Sequence, residues 1–351
     1  MPDDIQLTRR ALLARIAAAP LLSLGATAAG GPLSANAQAQ QVSTVAPVER
    51  SIDTANDTGT LSGKAFGTHW RLDAPAGAVL ERLRPHIEAL FDSIDRQQSP
   101  WRRDSTLSRF NAARAGKHVV DPECLHVIRA ALDLASRTRG AFDPTIGPLV
   151  ARWGFGPITS GGAPDWHAVS INANHIVKAR DDLTLDLCGI AKGRALDRAV
   201  ALCRDAGMDE LLFDLGGELR ALGNHPSGRA WQVAVQHPEP GHPAAAVVRL
   251  PAGRAIATTS LAQQSYNLAG QRYGHIVNPE TQRPASSGLS SVTVVSDDAM
   301  SADGWATALF AAGVGSGVAL ANEYKLDALL LIDDGNTLQQ YKAGSIERLL
   351  A

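Results

Sequence analysis

What most restricts the fold of this chain is the order in which its hydrophobic patterns change period. From Lys64 to Ile332, helix-type and strand-type stretches follow one another without an internal repeat and without strict alternation. Leu80, Leu83, Ile87, Leu90, Phe91 and Ile94 recur at helical spacing over residues 79–98, where Pro85 predicts a kink or a later start. A second helix is predicted over 122–138, with Pro122 in its first turn and Leu125, Ile128, Leu132 and Ala135 on one face. Residues 184–187 read as a strand entering a helix at about 191–206, and 302–312 as one more helix. Further strands are expected at 64–72, 211–214, 231–235, 245–250, 291–295 and 328–332. Long helices interleaved irregularly with strands predict an α+β fold, with mixed sheets and packed helices. With 351 residues, 45% of them hydrophobic, the chain is long enough for one large domain or two fused subdomains.

The first forty residues follow other rules. Arg9-Arg10 precedes Leu12-Leu13, a mildly apolar run from Ile16 to Ala29, and the small-residue stretch Ala35-Asn36-Ala37-Gln38-Ala39. This order resembles a twin-arginine export signal over residues 1–39, which implies a periplasmic location. The apolar run has only 14 residues, with a Pro and a Gly inside, against about 18 or more needed to span a bilayer. No stable membrane anchor is therefore expected. Residues 40–61 are polar and patternless and read as a flexible lead-in to a domain over 62–351. A net charge of -2 lacks the electrostatic footprint of a non-specific nucleic-acid binder, so no nucleic-acid partner is expected. Three cysteines, Cys124, Cys188 and Cys203, with no C-x-x-C spacing, argue against a disulfide framework or a zinc-cysteine site.

The richest chemistry lies in Asp186-Leu187-Cys188-Gly189-Ile190-Ala191-Lys192-Gly193. A helix starting at Ala191 points its first amides at an anion, Gly189 lets backbone come near, and Lys192 adds a positive charge. The same string also fits a Gly-containing turn with a surface Lys. Asp303 and Thr307 stand four apart on a predicted helix, so both oxygens face one side and can ligate one ion. Asp303 equally suits a helix N-terminal turn. His275, between Tyr273 and Pro279, reads as a general base, a hydrogen-bond donor or a core residue.

Six segments in order resemble the ApbE-type FAD:protein FMN transferases. They are Phe66-Gly67-Thr68-His69-Trp70, Asp104 to Asn111, Gly140-Ala141-Phe142-Asp143 to Val150, the Asp186 to Gly193 string, Asp214-Leu215-Gly216-Gly217, and His275-Ile276-Val277-Asn278-Pro279 with Ala302-Asp303 and Thr307. The resemblance spans roughly Lys64 to Leu331 and implies an ApbE-like fold of two interlocked subdomains. It implies an Mg²⁺-dependent transfer of FMN from the substrate FAD onto a Thr or Ser hydroxyl of an acceptor flavoprotein, releasing AMP. It implies His275 as the catalytic base, and Phe66, Trp101, Ala141, Phe142, Asp143, Asp186, Lys192 and Ile276 as FAD contacts. Gly189, through its main-chain oxygen, Asp303 and Thr307 are the implied Mg²⁺ ligands.

The chain departs from that pattern at three places. Cys188 replaces a Gly; Thr258-Thr259-Ser260-Leu261 stands where relatives read T-S-G-D; and Gln282 occupies a Gly position of P-x-T-G-R-P. A non-Gly residue resists positive φ, which predicts a differently shaped turn at Gln282. These departures keep a second function open: a periplasmic FAD-binding protein, or an FAD pyrophosphatase, with little transferase activity.

Overall fold

The computed structural model describes residues 57–262, 264–268, 271–285, 288–333 and 337–351. The expected signal, 1–39, lies outside the described residues, as does most of the expected lead-in. Its last residues, 58–61, belong to a strand. In chain order the elements are β1 (Thr58–Ala65), β2 (Thr68–Pro75), α1 (Arg84–Gln98), α2 (Thr106–Ala112), β3 (Gly116–Val119), α3 (Pro122–Arg137), α4 (Gly147–Arg152), β4 (Val169–Asn172), β5 (His175–Lys178) and α5 (Ala191–Asp205). There follow β6 (Leu211–Leu215), β7 (Glu218–Leu222), β8 (Trp231–Val235), β9 (Ala246–Leu250), β10 (Ala255–Ser260), β11 (Ser265–Leu268), β12 (Gln271–Gly274), β13 (Val277–Asn278) and β14 (Arg283–Pro284). The chain ends with β15 (Leu289–Ser296), α6 (Ala299–Glu323), β16 (Asp327–Asp333), β17 (Leu338–Ala343) and α7 (Ile346–Leu349).

Among the described residues, one eight-stranded antiparallel sheet runs β1-β2-β6-β7-β10-β15-β16-β17. Both faces are covered over its central strands, so β6, β10, β15 and β16 are buried on both sides rather than alternating, whereas the edge strands β1 and β17 are polar and more exposed. Along β16, Ala328 and Leu330 pack under the helices, while Leu329 and Leu331 pack against the β8-β9 hairpin on the far face. The helix side holds two clusters. One joins Leu61, Trp70, Phe91 and Phe213 to Leu196 and Val200 of α5. The other joins Ile128 and Leu134 of α3 to Leu309 and Phe310 of α6. Ala299 at the start of α6 belongs to the first cluster and Ala302 to the second, so α6 ties the two halves together.

Two buried carboxylates fix how α5 and α6 cross. Asp197 on α5 accepts hydrogen bonds from the amides of Ala299 (2.8 Å) and Met300 (3.0 Å) at the start of α6, and pairs with Arg220. Asp303 on α6 accepts one from the amide of Gly193 (2.9 Å) in the first turn of α5. Each helix thus satisfies the other's orphan N-terminal donors with a negative charge at the positive end of its dipole. The contact is too close for a side chain at residue 193, where a Cβ would lie 2.8 Å from Asp303 Cβ.

The structure corrects several expectations. The single strand at 64–72 is a hairpin, because Phe66 (φ 51°) and Gly67 (φ 73°) both take the left-handed region that a tight two-residue turn requires. Pro85 marks a later start: α1 begins at Arg84, with the proline in its first turn. Residues 184–187 form no strand. Asn111 completes their backbone instead, accepting from Leu185 N at 2.7 Å and donating to Leu185 O at 2.8 Å. The helix expected at 302–312 is longer, running Ala299–Glu323 with a break at Gly313 (φ 76°). It is apolar enough to cross a membrane, yet 14 of its residues are buried inside the protein, as befits a central core helix. Cys124 and Cys203 are buried free thiols.

Gln282 also behaves unexpectedly, because it takes φ 57° and so keeps the left-handed geometry it was expected to resist. Its amide donates to Asn278 O (2.9 Å), its carbonyl accepts from Trp153 Nε1 (3.0 Å), and Asn278 Oδ1 accepts from Thr281 N (2.8 Å). These bonds impose the turn on a residue that prefers another. Gln282→Gly should therefore stabilise the protein by about 0.5–1 kcal/mol, strain relief outweighing the added unfolded-state entropy. Thermal melting checks this; a lower melting temperature for the glycine variant would contradict the strain.

Candidate functional site

The crossing of α5 and α6 sets the floor of the site. Asp186 leads into it: its amide donates to Pro144 O (2.7 Å), and its Oδ1 accepts from Cys188 N (2.9 Å), folding 186–188 into a tight turn ahead of α5. Gly189 then packs face to face with α6. A Cβ there would lie 2.9 Å from Thr307 Cγ2, 3.3 Å from Thr307 Oγ1 and 3.1 Å from the Phe142 ring. Gly189, Phe142 and Thr307 therefore meet, with Asp303 one turn earlier on α6.

Lys192 projects from the first turn of α5 and donates to Glu218 Oε1 at 2.7 Å. Glu218 is 2% exposed, and its Oε2 is a buried oxygen without a hydrogen-bond partner. Burial opposes the charge on Lys192, but Glu218 and Asp303 outweigh it and raise the lysine above its usual range. Asp303, 4% exposed, is pushed up to about 7, chiefly by burial and then by the Glu218 charge, against the pull of Lys192 and the Gly193 amide. Two buried carboxylates thus share one ammonium. Such a site gains from a cation, which would relieve Asp303. The donors at hand are Asp303, the Thr307 hydroxyl and main-chain oxygen around Gly189. They are hard oxygen ligands and suit a hard divalent ion such as Mg²⁺.

His275 follows β12 and is half-buried, close enough to Lys192 to feel its charge. Its backbone N–H (3.1 Å) and its Nδ1 (3.2 Å) both meet the carbonyl of Gln264, so Nδ1 carries the proton and Nε2 is the free base. Burial lowers its pKa to about 4; the Gln264 carbonyl opposes the shift and the nearby Lys192 charge adds to it. An aromatic row backs the ring. Phe155 stands edge-on to His275 (6.3 Å), Tyr266 stacks on Phe155 (5.3 Å), Tyr273 on Tyr266 (5.6 Å) and Trp153 on Tyr273 (5.7 Å). Leu261, in the position where the sequence departs, packs directly on Gly274 beside His275.

The other expected contacts divide. Ala141 and Ile276 are half-buried against the α3-α6 core, and the main chain of Ile276 accepts from Ala285 N (2.8 Å). Asp143 is buried and engaged locally, its Oδ1 accepting from Thr145 N (2.8 Å) and Thr145 Oγ1 (2.6 Å). Phe66 turns its ring edge-on to Phe91 (5.4 Å) at the β1-β2 turn. Trp101 stands apart on the connection between α1 and α2, 66% exposed. Sequence reasoning missed Glu218 and Asp197. An acid inside the apolar run Leu215 to Leu222, directly after Gly216-Gly217, was the available signal for Glu218; Asp197 looked like any polar residue on a helix.

The profile of the ApbE family matches residues 66–330. The chain is 31% identical to the FAD:protein FMN transferase of Klebsiella pneumoniae over 84% of this chain and 90% of that protein. It is 30% identical to the one of Vibrio cholerae, over 83% and 92% respectively. Among solved structures it is similar to the flavin transferase ApbE from Vibrio cholerae, with a TM-score of 0.76 at 30% identity, covering 84% of this chain and all of that one. It is also similar to the apo form of the Pseudomonas stutzeri flavinyl transferase ApbE, with a TM-score of 0.75 at 28% identity over 83% and 96%. A match over most of the length, in sequence and in fold, places this chain in the ApbE family.

Proposed function

We propose that the protein transfers FMN from FAD onto a Thr or Ser hydroxyl of a partner flavoprotein. The observation that carries this reading is the meeting of Gly189, Thr307 and Phe142 at the start of α5, beside a Lys192 whose charge acts on both Asp303 and His275. The α5 amides and Lys192 suit the anionic pyrophosphate of FAD. Phe142 and Gly189 shape the wall beside it. A Mg²⁺ ion held by Asp303, Thr307 and main-chain oxygen at Gly189 would neutralise pyrophosphate charge. His275 Nε2, free to accept, takes the proton from the attacking hydroxyl while Gln264 holds Nδ1–H. The hydroxyl oxygen bonds to the flavin-side phosphorus, the bond from that phosphorus to the bridging oxygen breaks, and AMP leaves.

One observation favours a second reading, hydrolysis of FAD to FMN and AMP: Leu261, which stands where relatives carry an Asp, packs its apolar side chain on Gly274 beside His275. Incubating the protein with FAD, Mg²⁺ and candidate acceptor domains separates the two. Transfer raises the acceptor mass by FMN less water; free FMN with an unchanged acceptor supports hydrolysis.

His275→Ala should keep FAD affinity and lose the transfer step by about 10²–10⁴-fold, the usual contribution of a general base. Because the imidazole titrates near 4, the wild-type rate at saturating Mg²⁺ should show no acid-side fall between about pH 6 and 8. Measuring FAD affinity and single-turnover rate across pH checks both. Wild-type transfer by the alanine variant, or a limb near the ordinary histidine value, would overturn the role.

The reading includes export, on the strength of Arg9-Arg10 and the apolar run that follows. Replacing both arginines by Lys should leave uncleaved precursor in the cytoplasm. Normal periplasmic accumulation of that variant would remove the twin-arginine assignment.

A further inference from the structure

The β8-β9 hairpin covers the face of the sheet opposite α6, with Trp231, Val233, Val235, Val248 and Leu250 buried against it. Its connection reads His237-Pro238-Glu239-Pro240-Gly241-His242-Pro243, and no Lys or Arg occurs from 236 to 246. The flavin site uses none of these residues. In the folded chain one ligand atom from each of His237, Glu239 and His242 lies within 4.8 Å of the other two. His242 Nε2 is 3.3 Å from Glu239 Oε2, and the two imidazole rings stack at 4.4 Å with 17° between their planes. The Glu239 amide donates to His237 Nδ1 at 3.1 Å, so that nitrogen carries no proton and a metal ion would take its lone pair over from the amide.

The connection is also preorganised. Pro238, Pro240 and Pro243 fix φ at three positions, and Gly241 turns the chain at φ 85°. The ends are pinned by the Val235–Ala246 pair and by Ala245 N donating to Val235 O (2.8 Å). Gln340 Nε2 on β17 donates to Ala245 O (2.9 Å), anchoring the hairpin to the main sheet. A loop restrained in this way loses little entropy when its side chains converge on a ligand.

We propose that His237, Glu239 and His242 form a binding site for one divalent transition-metal ion, with Zn²⁺ well suited, separate from the flavin site. Two imidazoles and a carboxylate are a common zinc donor set, leaving one position for water. Bonds of about 2.0–2.2 Å put tetrahedral ligands about 3.3–3.6 Å apart, so closing the cluster on an ion requires one imidazole to turn out of the present stack, which an accessible loop permits. The donors separate the two sites chemically. Imidazole nitrogen favours Zn²⁺ and similar ions, whereas the all-oxygen set at Asp303 favours Mg²⁺.

The test uses the full chain without an affinity tag, stripped of metal, with excess Mg²⁺ present. Zn²⁺ is titrated against a chromophoric chelator. One equivalent should bind with micromolar or tighter affinity. His237→Ala/His242→Ala should weaken it by at least the about 10–100-fold seen when even outer-shell partners of a metal are lost. FAD turnover and the melting temperature of the metal-free protein should be unchanged in that variant. Asp303→Ala should still bind the equivalent, which distinguishes this site from the flavin site. Equal Zn²⁺ binding by the wild type and the double variant, or loss of the equivalent in Asp303→Ala alone, would overturn the proposal.

Discussion

Reciprocal capping between α5 and α6 is the constraint on which the site depends. Asp197 reaches from α5 to the first amides of α6, and Asp303 reaches from α6 to the first turn of α5. Charge-assisted hydrogen bonds of this kind contribute about 1.5–3 kcal/mol each. Their geometric effect matters more. They set the start of α5, with Lys192, against the first turns of α6, with Asp303 and Thr307; Gly193 lets the backbones touch, and Gly189 leaves room for the Thr307 side chain. The same crossing joins the two hydrophobic clusters, so the candidate site groups are held where the core itself is continuous.

This arrangement leaves charge unbalanced. Lys192 neutralises one of two buried carboxylates; the other is pushed up to about 7, and Glu218 keeps an unpartnered oxygen. A core built only for stability would replace such a cluster with apolar packing. Its presence makes sense if a cation and an anionic substrate complete it, each supplying the charge that the other half of the site lacks. An aromatic row stands behind His275, whose burial and neighbouring Lys192 charge lower its pKa and favour the neutral imidazole.

Much of this was legible in the sequence. The helix at Pro122, the strand Trp231–Val235 and the helix start at Ala191 followed from period and Pro placement, because burial of one face writes directly into residue spacing. The expected strand at 184–187 failed because a side chain, Asn111, replaced the ladder, a long-range partner that no local pattern encodes. Gln282 kept a glycine-type turn because three hydrogen bonds outweigh a local preference of about 1 kcal/mol. The family motifs brought Gly189, Asp303, Thr307, Lys192 and His275 together in order. Glu218 and Asp197 act from elements distant in sequence, so their roles emerged only once α5, α6 and β7 were placed.

Asp197 lies outside the proposed FAD-binding residues and acts by placing α6 on α5. The deciding measurement is the FAD-dependent transfer rate of Asp197→Asn as a function of Mg²⁺ concentration, taken below its melting temperature on folded protein. If reciprocal capping sets the site, the variant should melt lower, transfer more slowly and need more Mg²⁺ for half-maximal rate, since Asp303 is no longer held opposite the α5 N-terminus. A lower melting temperature with wild-type rate and wild-type Mg²⁺ dependence would contradict it, reducing the pair to a device for stability alone.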